Sequence, residues 1–152
     1  MPGKLALLWI RLQEWGLRRT ARLHSKIMAP HLATGIRGER AALLELRRRG
    51  YIVVARRWTS TKMRGDVDLV AWDGPWLCFI EVKTRSVRGM TPAEAAVDDD
   101  KRRMLRGLAR IYVRTFPERQ RRTLPVRFDV VSVYPTATAA EFDVFQGAFG
   151  WR

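Results

Sequence analysis

Residues 65–85, GDVDLVAWDGPWLCFIEVKTR, constrain this chain more than any other stretch. DVDLVAW and WLCFIEVKTR are rich in β-branched and aromatic residues and are divided by Asp73-Gly74-Pro75, so the pair predicts a β-hairpin. On its second strand Leu77 and Phe79 share one face, and Trp76, Cys78, Ile80 and Val82 share the other. A strand apolar on both faces is expected to be buried on both, which places it inside a sheet. Glu81 and Lys83 nevertheless follow at its end. A hairpin loop with an even number of residues puts Asp68 on the face of Glu81 and Lys83, and a four-residue loop from Asp73 to Trp76 puts Asp68 directly opposite Glu81.

Two facing carboxylates repel, and partial burial sharpens the repulsion, so the arrangement needs a proton, a basic partner or a divalent cation. Magnesium suits one or two carboxylates that leave its other positions to water and phosphate oxygens, the arrangement of a phosphodiester hydrolysis site. Lys83 could then orient or deprotonate an attacking water or stabilise charge developing on phosphorus. The plainer reading is an exposed strand end, with a surface ion pair to Asp66 or Asp68 worth under about 1 kcal/mol. From the residues alone both readings stand.

The flanking sequence supplies the other elements. In residues 38–49 Ala41, Ala42, Leu43, Leu44 and Leu46 recur among charges at helical spacing, and Gly50 offers a left-handed stop. Residues 51–58 read as a strand and residues 59–65 as a loop. Thr91-Pro92-Ala93-Glu94 has capping-box spacing and predicts a basic helix reaching about Phe116, with Pro117 ending or kinking it. Residues 126–134 form another strand, and residues 141–146 a shorter one before the apolar tail Ala148, Phe149 and Trp151. Helix, three strands, helix and two strands predict a mixed sheet with helices packed on it.

Composition narrows the function. The 152 residues hold 29 Lys or Arg against 15 Asp or Glu, a net charge of +14, with 47% hydrophobic residues. The length suits one domain, and its apolar content argues against a disordered polycation. No apolar run approaches the roughly 18 residues of a membrane span. A surplus of positive charge favours an anionic partner, nucleic acid being the commonest. Cys78 is the one cysteine, which excludes an internal disulfide and suggests a buried thiol in the cytoplasm. His24 and His31 are the two histidines, without CxxC or HxxxH spacing, so a zinc site and a Ser-His-Asp triad lack their parts. Carboxylates, Lys and Arg are left for catalysis. Of the 29 basic residues 24 are Arg, which makes each lysine notable.

Residues 1–27 read as a basic amphipathic extension, with Leu5, Leu8, Trp9, Leu12, Leu23 and Ile27 on one helical face and Arg11, Arg18 and Arg22 on a flank. Met28 offers an alternative start, and residues 28–152 keep 23 basic against 14 acidic residues, so the basic character belongs to the main domain. A membrane contact through residues 1–27 is a third reading, not the favoured one.

GERAALLELRRRGY, GDVDLVAWDG, FIEVKTR, AAVDDDKRRML and RFDVV resemble, in order, the blocks of the YraN-type family of predicted endonucleases, placed in the PD-(D/E)XK nuclease superfamily and similar to archaeal Holliday-junction resolvases. The match covers roughly residues 35–150. The resemblance implies an α/β, restriction-endonuclease-like αβββαβ core, its central mixed sheet flanked by helices. It implies that Asp68 and Glu81 bind Mg2+ or Mn2+, that Lys83 is the catalytic lysine and that Glu39 approaches from the first helix. Without the family Glu39 would read as a first-turn acid favouring the helix dipole. Arg57 stands where the family usually has Asn, Asp66 where it commonly has Glu, and residues 1–27 have no counterpart. Asp66 shares Asp68's face by alternation, to assist a metal or to pair with Arg64 or Lys83.

Lys101, a recurrent family lysine, joins Arg102, Arg103, Arg106, Arg110 and Arg114 in a basic stripe at helical spacing, and Arg85 adds another candidate phosphate contact. Trp58 and Trp72 could stack on unpaired bases but suit the core or its rim better, and Asp129 reads as structural. The resulting expectation is a metal-dependent endonuclease acting on DNA, with branched DNA or a Holliday junction as substrate by analogy and no small-molecule cofactor. Cutting a four-way junction would take a homodimer. The rival expectation is a non-catalytic nucleic-acid-binding protein on the same fold.

Overall fold

The computed structural model describes residues 30–89 and 97–151. The readings made for residues 1–27, Met28 and the capping box at residues 91–94 lie outside the described residues. The elements in order are α1 (Pro30–Arg48), β1 (Ile52–Ser60), β2 (Met63–Asp73), β3 (Trp76–Thr84), α2 (Asp99–Val113), α3 (Glu118–Arg121), β4 (Val126–Pro135) and β5 (Ala140–Phe149). The strands form one sheet in the order β1-β2-β3-β4-β5. Neighbours are antiparallel except β3 and β4, which run parallel, so the sheet is mixed as expected.

β3 lies at the centre, and its alternation sorts the core into two. Cys78 and Ile80 pack with Ala42, Leu43 and Leu46 of α1, while Leu77 and Phe79 pack with Leu105, Leu108 and Ala109 of α2. The sheet thus carries a helix on each face. Phe79 meets Tyr112 edge-on at 5.6 Å and tilts against Phe128 at 5.9 Å, so truncating it to Ala would cost about 3–5 kcal/mol. Trp58 and Trp72 also pack here, edge-on to Tyr112 at 5.1 Å and Phe116 at 6.1 Å. The Cys78 thiol is fully buried; burial, then the neighbouring Asp129, pushes it up to about 12, so it stays an inert thiol.

The structure corrects five boundaries. α1 starts at Pro30, not at Gly38. Gly38 lies inside it because a Cβ there would collide with the Thr84 hydroxyl, so the glycine lets the helix close on the end of β3. Gly50 (φ +98°) does stop the chain, its N–H donating to Arg47 O at 3.1 Å and that of Tyr51 to Leu46 O at 3.0 Å. The loop expected over residues 59–65 is strand on both sides, since the β1–β2 ladder continues through Thr59↔Asp66 to Ser60↔Met63. α2 begins at Asp99 behind non-helical Val97 and Asp98, because Asp98 caps it by accepting from the Lys101 N–H at 2.8 Å. It ends at Val113, short of Phe116, and Pro117 precedes the short α3. β5 extends to Phe149 and takes in Ala148, expected in a tail.

Candidate functional site

The site forms where the sheet splits. β2 and β3 pair from Asp73↔Trp76 to Leu69↔Ile80, with Gly74 and Pro75 as the turn. The turn is tighter than the expected four-residue loop, but the register is the same and sets Asp68 against Glu81. Beyond Ile80, β3 stays with β4 as far as Thr84↔Val133, and β2 stays with β1. The Val82 N–H, left without a β2 backbone partner, donates instead to Asp68 Oδ2 at 2.7 Å. Strand separation thus both opens the cleft and orients the acid.

Both acids are buried, Asp68 to 8% and Glu81 to 3% residual exposure. Burial first, and the Glu81 carboxylate second, push Asp68 up to about 7, against the Val82 N–H and Lys101, which favour its charged form. Lys83 Nζ lies 3.0 Å from Glu81 Oε1, and its side chain is 35% exposed at the cleft mouth. Lys101 Nζ lies 2.9 Å from Glu81 Oε2. Burial disfavours the Lys101 ammonium, but Glu81 and Asp68 outweigh it and raise its pKa. Glu81 Oε2 is sealed from solvent and is stabilised there by the Lys101 ammonium.

Glu39 reaches the same cleft from α1. Thr34, Gly35, Glu39, Asp68, Glu81 and Lys83 line a space of about 440 Å3. Burial raises the Glu39 pKa, and Arg57, with Nε 3.8 Å from its carboxylate, opposes the rise. Arg57 also lies 3.9 Å from Asp66, so Asp66 pairs there rather than with Arg64 or Lys83. Arg57 sits opposite Asp68 between the pairs Arg56↔Leu69 and Trp58↔Val67, with a left-handed φ of 45°. The alternation slips here: Val67 and Val70, three residues apart, join the same core.

The basic stripe divides. Lys101 turns to Glu81 rather than outward. Arg102 and Arg106 lie over the Phe149 ring at 5.7 and 5.5 Å, and Arg110 over Trp151 at 5.5 Å. Arg106 Nε also donates to Gly150 O at 2.7 Å, so these side chains secure the C-terminal segment. Arg103 is exposed, paired with Asp100 at 3.1 Å. Arg85 is half-buried just past β3, its N–H donating to Val133 O at 2.9 Å. Asp129, read as structural, accepts from Arg127 at 2.8 and 3.0 Å and from the Gly147 N–H at 2.9 Å.

Among the described residues, no group of three or more His, Cys, Asp and Glu side chains converges as a ready-made metal cage. What converges is a pair of buried carboxylates, two ammonium groups and a third acid at the rim. Fold and site define an α/β protein with a mixed five-stranded sheet and a dicarboxylate–lysine cleft at its split end. The chain belongs to the uncharacterised protein family UPF0102, which residues 38–133 match. It is similar to a UPF0102 protein of Koribacter versatilis, 45% identical over 119 residues, covering 78% of this chain and 80% of the relative. A UPF0102 protein of Solibacter usitatus is 45% identical over 112 residues, 74% and 82% of the two chains. One from Porphyromonas gingivalis is 42% identical over 110 residues, 72% and 77%. No helix among the described residues is long and apolar enough to cross a membrane.

Proposed function

We propose that this protein is a metal-dependent endonuclease of the PD-(D/E)XK type, hydrolysing phosphodiester bonds in DNA, with branched DNA as its preferred substrate. The observation that carries the reading is the buried Asp68–Glu81 pair, held across a strand split with Lys83 3.0 Å from Glu81. Burying two acids side by side works against folding, and a chain keeps such an arrangement where a site needs it. The donors suit Mg2+ or Mn2+: they are the hard carboxylate oxygens of Asp68 and Glu81, two residues that line the same cleft. A bound ion would supply Lewis-acid stabilisation of phosphoryl oxygens and an acidified water.

The chain's own residues supply the rest. Lys83, at the open side of the cleft, presents a cation to the attacking water or to a phosphoryl oxygen. Glu39, with its pKa raised by burial, is placed to accept or hold a proton at the rim. The net charge of +14, with exposed Arg103 on α2, favours contacts to the phosphate backbone without sequence readout. The preference for branched DNA, and the homodimer that paired cuts would require, rest on family resemblance alone.

A second reading has its own support. Both oxygens of Glu81 already face an ammonium group, so the site is charge-balanced without a metal, as a non-catalytic nucleic-acid-binding protein would need. Cleavage assays on linear, flapped and four-way-junction DNA with Mg2+, Mn2+ or EDTA separate the two. Metal-dependent cutting that Asp68→Ala and Lys83→Ala abolish, in folded protein, supports the nuclease. Binding without cutting, unaffected by either substitution, supports the second reading.

A further inference from the structure

Glu81 has two cations of different origin. Lys83 comes from β3 itself, two residues on, and projects toward the open cleft. Lys101 comes from α2, on the other side of the split, and meets the sealed oxygen Oε2 at 2.9 Å. The Asp98 cap fixes the turn that carries it, since the capping bond ends on the Lys101 N–H itself. A divalent cation held by Glu81 would lie close to the Lys101 ammonium, and two like charges at that separation repel.

We propose that Lys101 is the resident counter-ion of Glu81, a positioning residue whose charge competes with that of a divalent cation and thereby sets the metal affinity of the site. The inference rests on the metal-site reading above. In the metal-free protein the Lys101 ammonium offsets the cost of burying Glu81 beside Asp68. In the metal-bound protein it opposes the incoming charge, so binding is weaker than it would be without that ammonium group. Removing its charge therefore weakens the metal-free fold and tightens metal binding. A lysine whose role is to contact DNA phosphates would behave differently: its loss would weaken DNA binding and leave metal affinity alone.

The test uses the full chain without DNA and Mn2+ as the probe, titrated calorimetrically and by the electron-spin signal of free Mn2+. Lys101→Met, similar in length and uncharged, is expected to bind Mn2+ about tenfold more tightly than the native chain, as loss of one nearby like charge implies. Lys101→Arg, which keeps the charge, is expected to stay near native. In EDTA the Tm of Lys101→Met is expected below native, and Mn2+ should raise it further than it raises the native Tm. If Lys101→Met does not fold, Lys101→Gln carries the same expectation. Equal or weaker Mn2+ binding by the folded uncharged variant overturns the proposal while leaving the metal site standing. Absence of Mn2+ binding by the native chain and every variant overturns the metal-site reading, and the proposal falls with it.

Discussion

Three strand-borne acids are buried in this sheet, and the surroundings of one differ in kind from those of the other two. Asp129 on β4 is fully hydrogen-bonded: Arg127 grips both its oxygens, and the Gly147 N–H binds one of them at 2.9 Å. Arg127 in turn reaches Asp73 at 2.7 Å and Tyr51 at 3.0 Å, and Gln146 closes the network onto Tyr51 at 2.7 Å. That cluster ties the β2–β3 turn to β4, β5 and the end of α1. Asp68 on β2 and Glu81 on β3, where the two strands split, have one backbone N–H and two ammonium groups between them. A buried charge with both oxygens hydrogen-bonded holds a fold together. A buried pair left short of partners is unstable by itself and chemically available.

The sharpest way to break this comparison is to make the same substitution at both places. Asp129→Asn removes one of the two carboxylates that Arg127 meets, leaving Asp73, and is expected to cost about 1–3 kcal/mol in urea denaturation. Asp68→Asn keeps an acceptor for the Val82 N–H and removes repulsion from Glu81. It is expected to raise stability at pH about 8 by about 1–2 kcal/mol in EDTA, while abolishing any metal-dependent cleavage. Equal destabilisation by both substitutions would erase the distinction.

A pH series sharpens it further. Asp68 titrates at about 7 in the folded chain against an ordinary 3.8, so between those values the folded state holds a proton that the unfolded chain has released. Its contribution to stability is complete below about 3.8, falls as pH rises, and is lost above about 7. The stability of the native chain relative to Asp68→Asn should therefore decline across that window and level off beyond it. A difference that stays flat from pH about 4 to about 8 would show that neither burial nor Glu81 raises the Asp68 pKa.

Much of this site could be read before any coordinates. An even hairpin loop around Asp73-Gly74-Pro75 puts Asp68 on the face of Glu81, and the register of a loop from Asp73 to Trp76, which sets the two acids opposite, is the one the structure has. The inward turn of Lys101 was not legible, because helical spacing groups it with Arg102, Arg103 and Arg106 and says nothing of where α2 crosses the sheet. A signal was present: in a chain with 24 Arg among 29 basic residues, both cations on Glu81 are lysines. The β1–β2 connection misled because its polar residues resemble a loop, whereas edge strands carry such residues toward solvent. Helix α1 was read eight residues too short because Gly38, expected at a helix start, instead accommodates the close crossing at Thr84.

The smallest expected effect tests whether strain beside the site belongs to the poised region. Arg57 holds a left-handed φ of 45° opposite Asp68, a conformation that Asn accepts more readily than Arg, and the family resemblance has Asn there. Its ion pairs to Glu39 and Asp66, at 3.8 and 3.9 Å with the side chain half exposed, are too long to repay much of that strain. Arg57→Asn is therefore expected to stabilise the chain by about 0.5 kcal/mol, roughly 1–2 °C in Tm. It also removes the nearest cation from Glu39, whose pKa should rise further above its ordinary value, measurable by carboxyl chemical shifts. A loss of stability would mean that Arg57 holds Glu39 and Asp66 in place, and that the strain is compensated within the site itself.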